Sequence, residues 1–372
     1  MKRGSVWVLS AAALVGVAGR AAAEPMFLGR QYARCTTCHF SPTGGGLLTP
    51  YGRSLTREEL STLGPGRGAG APGREQEFLY GLLGDALGPV SAWIDLRPSH
   101  LDVRADGFRS TRDFLMNAEL TAAGRWGAWT LYAEVGRQPR TGHTRVDSFE
   151  HWVSFQGERG LGFRAGRFIP AYGLKLADHT AFTRASLALD NDNQIYGLEL
   201  SYTGSRHLVQ LSLGPGFADG VGDPARRAFT ATARWQYDLQ PRVTLVTSGL
   251  FRDGSGIAPR SGAFGVAFGV APVSRLTLWT QVDARLRQGA GGAGYTFLAD
   301  AALEVYRGVW LTFSPQLLTD FGDPSSGAFR LNLGLKLFPR THWNVVLSYY
   351  DDRVRGTDSS TRILLAQLHL YL

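Results

Sequence analysis

The stretch AFRLNLGLKL, residues 328–337, decides the fold. Successive side chains of a strand point to opposite faces. Phe329, Leu331, Leu333, Leu335 and Leu337 therefore share one face, and Arg330, Asn332, Gly334 and Lys336 share the other. A helical period would mix these two sets, whereas a strand with one apolar and one polar side separates them. The same writing recurs in both directions. In RILLAQLHLYL (362–372), Leu364, Ala366, Leu368, Leu370 and Leu372 oppose Gln367, His369 and Tyr371. In AFTATARWQY (228–237), Phe229, Ala231, Ala233, Trp235 and Tyr237 oppose Thr230, Thr232, Arg234 and Gln236.

From about residue 89 to 372 the chain repeats segments of roughly ten alternating residues separated by turn residues, the pattern of a transmembrane β-barrel. About sixteen strands can be counted, an even number as in bacterial outer-membrane barrels. Short connections (124–127, 203–205, 271–274, 307–308, 339–341) alternate with longer ones (138–147, 170–193, 215–227, 351–360). That asymmetry predicts periplasmic turns and extracellular loops. A last strand that pairs with the first would leave no open edge. Such barrels commonly finish in Phe or Trp, whereas this chain finishes in Leu372. Alternation assigns Glu119, Glu134, Glu150, Arg164, Glu199, Arg234, Asp283, Arg285, Asp300, Glu304, Arg330 and Lys336 to the lumen, because charge facing lipid is costly. The fold class is thus all-β: an outer-membrane antiparallel barrel preceded by a small N-terminal segment.

The first residues address the compartment. Lys2 and Arg3, an apolar run and AAA before Glu24 form a secretory signal over 1–23, cleaved after Ala23. The apolar run from Val6 to Ala18 is shorter than the ~20 residues a spanning helix needs. The rest, with 47 Gly, 9 Trp, 13 Tyr and 20 Phe, suits a strand-rich exported protein in the bacterial outer membrane, in contact with its lipid. The formal net charge of +8 reads as a charged surface and pore lining. An exported chain rarely meets nucleic acid, so no nucleic-acid partner is expected.

Residues 24–63 do not alternate and hold both cysteines of the chain, in CTTCHFSPTGGGLLTPYGR (35–53). Cys35-Thr36-Thr37-Cys38-His39 has the form of a c-type haem attachment site. Two thiols add to the two vinyl groups, and the adjacent imidazole turns back onto the iron as its proximal ligand. The rival readings are a redox dithiol, which lacks its βαβ setting, a zinc site, which lacks a second CxxC, and a strained disulfide. One covalent haem c is therefore the expected cofactor, with Met26 the nearest sequence candidate for the distal ligand. Met116 falls on the apolar face of its strand and reads as a lipid contact; His342 and His369 fall on lumen faces. Gly44, Gly45 and Gly46 would let backbone approach a planar cofactor, with Leu47, Leu48 and Tyr51 over one face. Thr56 and Glu59 predict a capping box for a short helix, and residues 64–88 read as a Gly/Pro linker with a further short helix.

FLGRQYARCTTCH (27–39), LTPYGR (48–53) and the following barrel resemble the fused monohaem cytochrome–porins of the outer membrane. That resemblance implies haem attachment at Cys35 and Cys38, proximal ligation by His39, and electron exchange between an extracellular donor such as Fe(II) and a periplasmic cytochrome. GRFIPAYGLKLADHTAFTR (166–184) is similar to a segment of anion-selective porins. Electron transfer across the outer membrane is the leading expectation. A solute-conducting porin with a haem-bearing or redox-sensitive plug is the alternative, and a haem enzyme with an open sixth position is the third reading.

Overall fold

A computed structural model describes residues 25–64, 77–82, 89–137, 146–189, 194–216, 228–254 and 259–372. The export signal, most of the 64–74 linker, and the loop residues 138–145, 190–193 and 217–227 lie outside the described residues.

The barrel begins with β1 (Val90–Ala105), β2 (Phe108–Trp126), β3 (Trp129–Arg137), β4 (Asp147–Gln156) and β5 (Leu161–Phe168). It continues with β6 (Ile195–Thr203), β7 (His207–Pro215), β8 (Phe229–Gln240), β9 (Val243–Arg252), β10 (Ser261–Val273) and β11 (Leu276–Arg287). It ends with β12 (Gly294–Tyr306), β13 (Val309–Asp320), β14 (Asp323–Leu337), β15 (Trp343–Val354) and β16 (Ser360–Tyr371). Each strand pairs antiparallel with its sequence neighbours, and β1 pairs with β16 to close the barrel. Ile94 and Leu372 exchange both backbone hydrogen bonds, at 2.8 and 2.9 Å, as part of the β1–β16 seam.

The alternation maps onto the wall as written. Arg330 is buried, Asn332 and Lys336 face the lumen, and Leu333 faces outward. Every charged position assigned inward lies buried or lines a lumenal cavity. Outside, Leu198, Leu200, Leu213, Leu311 and Phe313 make an apolar band. Trp126, Trp129, Tyr202, Tyr306 and Trp343 border it near the short turns, and Tyr196, Phe229, Phe251 and Tyr295 border it near the opposite mouth. An apolar band between two aromatic girdles is what a bilayer requires of a barrel. The mouth with the short turns, where β1 begins and β16 ends, faces the periplasm.

Four sequence expectations need correction. Met116 faces the lumen, buried at 6% exposure. Arg97 pairs with Asn117 and Pro98 with Leu115, so Met116 is the extra residue of a bulge, and two consecutive side chains turn inward there. The connection over 170–193 is no extracellular loop in its described part: Ile169, Ala171, Tyr172, Leu174, Ala181 and Phe182 are buried inside the barrel. The hairpin at 351–360 is half strand, its loop cut to 355–359, since β15 and β16 pair as far as Arg353 and Ser360. Finally, Thr56 does not start a helix. The helix α1 (Pro50–Leu55) starts earlier, with Thr49 accepting from the Gly52 amide at 3.1 Å and proline at its first position, and it runs on into a π-turn at Thr56–Leu60. Thr56 instead donates to the Arg53 carbonyl at 2.7 Å.

Candidate functional site

The N-terminal segment lies within the barrel wall as a plug in the periplasmic half. A 3-10 turn at Pro25–Arg30 packs on β11: Thr277 Oγ1 donates to Met26 O at 2.8 Å, Gly29 N donates to Thr277 Oγ1 at 3.2 Å, and Trp279 Nε1 donates to Pro25 O at 3.0 Å. Arg30 reaches Glu304 of β12 at 2.7 Å and Glu59 of the plug at 3.1 Å. Arg34 binds Asp238 of β8 and the Gly204 and Ser205 carbonyls of the β6–β7 turn. The segment meets the periplasmic rim where Thr62 N bonds Phe338 O at 2.8 Å and Leu63 N bonds Pro339 O at 3.0 Å. Too short for a core of its own, the segment borrows the lumen as its core.

The CTTCH stretch is a tight turn. The amides of Cys38 and His39 both bond the Cys35 carbonyl, at 3.1 and 2.9 Å. The chain then doubles back: His39 bridges to Leu48, Phe40 N bonds Leu47 O, and Thr49 N bonds Cys38 O at 2.8 Å. Gly44, Gly45 and Gly46 all take positive φ (81°, 81° and 59°), which a chain of L side chains would not follow. Gly46 approaches the barrel wall, where a Cβ on it would stand 2.0 Å from the Tyr132 hydroxyl. Leu47 is fully buried against Trp93, Tyr132 and Trp152, while Tyr51 is half exposed and meets Tyr32 at 3.0 Å.

Cys35, Cys38 and His39 open together on one cavity with about 870 Å³ of empty space. Phe27, Leu48, Leu55, Leu60, Leu174 and Trp279 supply its apolar lining. Both thiols are free and half-buried. Burial raises both: Cys35 upward against the opposing fields of Arg234 and Lys175, and Cys38 to about 11, helped by Cys35 and Glu59. A reactive redox dithiol needs the opposite, a thiol made acidic by its surroundings. Burial lowers His39 to about 4, opposed by the backbone of Gly46 and Gly45, so its imidazole is neutral and fit to donate a lone pair. Its Nδ1 is buried without a hydrogen-bond partner. Among the described residues, no group of three His, Cys, Asp or Glu is placed to hold a metal ion.

These residues fit a c-type haem: two thiols and a neutral imidazole on one turn, an apolar slot beside them, and an orphaned ring nitrogen. When bound, that group supplies reversible one-electron chemistry. Met26 is elsewhere, packed with Leu60, Ala302, Trp310 and Phe338 and facing the other lumenal space. His369 meets Asp95 at 3.2 Å, and His342 stacks edge-on with Tyr80 and Tyr371 near the periplasmic rim.

Above the plug, residues 169–189 fold across the lumen as a constriction. Tyr172 donates to Asp283 at 3.0 Å, the Gly173 amide to Ser248 at 2.9 Å, the Leu174 amide to Gln281 at 2.9 Å and the Phe182 amide to Gln316 at 2.8 Å. Beside it lies a second space of about 1530 Å³, walled by Arg97, Arg112, Met116, Arg330, Lys336 and His369. Pro25 lines both spaces, and Leu174 and Lys175 face one while Leu176 faces the other. The inward loop was hidden from a sequence reading because its anchors are polar lumen residues 61 or more positions away; the only signal was its apolar content.

No family model and no curated protein matches the sequence. Solved structures do match in fold. An anion-selective porin from Comamonas acidovorans aligns at 11% identity over 76% of this chain and 99% of that one, with a TM-score of 0.55. OprB of Pseudomonas putida aligns at 8% identity over 85% of this chain and 99% of that one, with a TM-score of 0.60. OmpF of Salmonella typhi, in complex with daunomycin, aligns at 10% identity over 76% and 97%, with a TM-score of 0.59. At such identities the likeness is one of fold. The chain is a sixteen-strand barrel of the bacterial outer membrane with the fold of the porins.

Proposed function

We propose that this protein is a solute-conducting outer-membrane barrel whose periplasmic half is filled by a plug carrying one covalent c-type haem. The observation that carries the reading is the placement of Cys35, Cys38 and His39 on a lumenal cavity, inside the wall of a porin-type barrel. The porin neighbours and the charged space beside the constriction support passage of small hydrophilic solutes. The chain's own residues hold the plug (Arg30, Arg34, Trp279), offer thiols and imidazole on one turn, and exclude water from the apolar slot beside them.

One observation favours a second reading, electron transfer across the membrane. The outer lumenal space and the thiol–imidazole cavity share Pro25 in their linings and meet across the Leu174–Leu176 stretch. A small reductant such as Fe(II) entering from outside would approach within a residue or two of the haem, and a periplasmic cytochrome would meet the plug from the other mouth. Conductance of the intact, haem-stained protein in planar bilayers separates the two. Discrete channel steps support solute passage. Their absence at every voltage, together with reduction of the haem by external Fe(II) in intact cells, would leave electron transfer as the function.

A further inference from the structure

We propose that Arg234 is the barrel's anion-holding residue for the plug cavity, receiving a propionate carboxylate of the covalently bound tetrapyrrole; the inference rests on the haem reading above. Arg234 projects from β8 into the cavity that Cys35, Cys38 and His39 share. Its guanidinium meets only neutral acceptors: Nε donates to Gly173 O at 3.0 Å, Nη1 to Gln210 Oε1 at 3.3 Å and Nη2 to Gln236 Oε1 at 2.9 Å. The other arginines on this cavity have carboxylates in contact. Arg30 has Glu304 and Glu59, and Arg34 has Asp238. Asp238, the acid on the same strand, is committed: one oxygen to Arg34, the other to Gln236 at 2.9 Å and Thr244 at 3.1 Å.

Asp238 and Glu199 lie near enough to act on Arg234 but are bonded elsewhere, so no carboxylate contacts its half-buried guanidinium, and the cavity beside it is where a contacting counter-ion belongs. Lys175 of the constriction loop lines the same cavity and adds a second positive charge. The cavity is therefore apolar in much of its lining and positive where Arg234 and Lys175 face it, Glu59 being paired with Arg30. A tetrapyrrole presents the matching pattern, an apolar disc whose only charged substituents are carboxylates. Arginine's planar fork suits a carboxylate better than a point charge does. The same guanidinium holds the Gly173 carbonyl, so the constriction loop hangs from the residue that would hold the haem's anion.

The test compares wild type, Arg234→Gln and Arg234→Lys, produced in a host competent for c-type maturation and checked for folding by heat-modifiable mobility. Covalent haem is stained, the midpoint potential measured, and the propionate-bending band recorded by resonance Raman. Arg234→Gln is expected to keep its haem, because Cys35 and Cys38 still hold it. Its potential should fall and its propionate band shift, because uncompensated negative charge favours the ferric state. Arg234→Lys should recover most of the potential but not the band. A haem-loaded Arg234→Gln with wild-type potential and band overturns the proposal. If Arg234→Gln fails to fold, an unshifted band in Arg234→Lys overturns it equally. A wild type without covalent haem would instead overturn the haem reading beneath it.

Discussion

Gly52 lies directly on the backbone of Cys38: a Cβ added there would stand 2.4 Å from the Cys38 carbonyl oxygen and 3.0 Å from its Cα. Because the neighbour is main chain, it cannot swing aside, and overpacking of this kind costs about 1–3 kcal/mol. Gly52→Ala should displace the CTTCH turn, so the fraction of protein carrying covalent haem falls several-fold. Barrel heat-modifiability should be unchanged, since the added Cβ would meet the plug's own backbone at Cys38.

The cap on α1 gives a second expectation. Thr49 accepts from the Gly52 amide and donates toward the Cys38 carbonyl, whereas the Thr56 hydroxyl donates back to the Arg53 carbonyl and meets Tyr371 of the barrel, capping no amide at the helix start. Thr49→Ala should lower local stability of the plug by about 1 kcal/mol. Thr56→Ala should cost less. Hydrogen exchange of amides 50–60 distinguishes them: equal loss of protection in both variants would show that the helix does not start where Thr49 caps it.

How much of this was legible in the sequence follows from which forces are local. Strand register was readable at Arg330 against Leu333 because alternation is a property of consecutive residues. Met116 was misread because a bulge breaks that rule by one residue, and bulges leave no reliable mark in alternation. The CTTCH motif was visible as chemistry. Its position inside the barrel was not, because that rests on pairs such as Arg30–Glu304 and Trp279–Pro25, more than 250 residues apart. The constriction was missed for the same reason. Thr56–Glu59 imitated a capping box, but Thr49-Pro50 made the stronger start seven residues earlier.

Arg30 ties the plug to the wall through Glu304, which is 4% exposed. Removing one partner of a buried pair costs about 3–5 kcal/mol. Arg30→Ala combined with Arg34→Ala should loosen the plug and raise single-channel conductance above wild type while the barrel still assembles. Unchanged conductance in a folded double variant would mean the plug does not limit the pathway.

Gln281 holds the constriction by accepting from the Leu174 amide and donating to Asp283. Leaving that amide unsatisfied costs about 1–3 kcal/mol. Gln281→Ala should therefore widen the lumen, read as a higher conductance and faster uptake of larger sugars in a liposome-swelling assay. Wild-type size exclusion would place the narrowest point elsewhere.

The central claim is that a porin-fold barrel carries a covalent haem on Cys35 and Cys38. Haem staining after denaturing electrophoresis, in a maturation-competent host, tests it most directly. The account predicts a stained band at the barrel's mass in wild type, lost in Cys35→Ala with Cys38→Ala. A folded wild-type barrel with no stained band would contradict it.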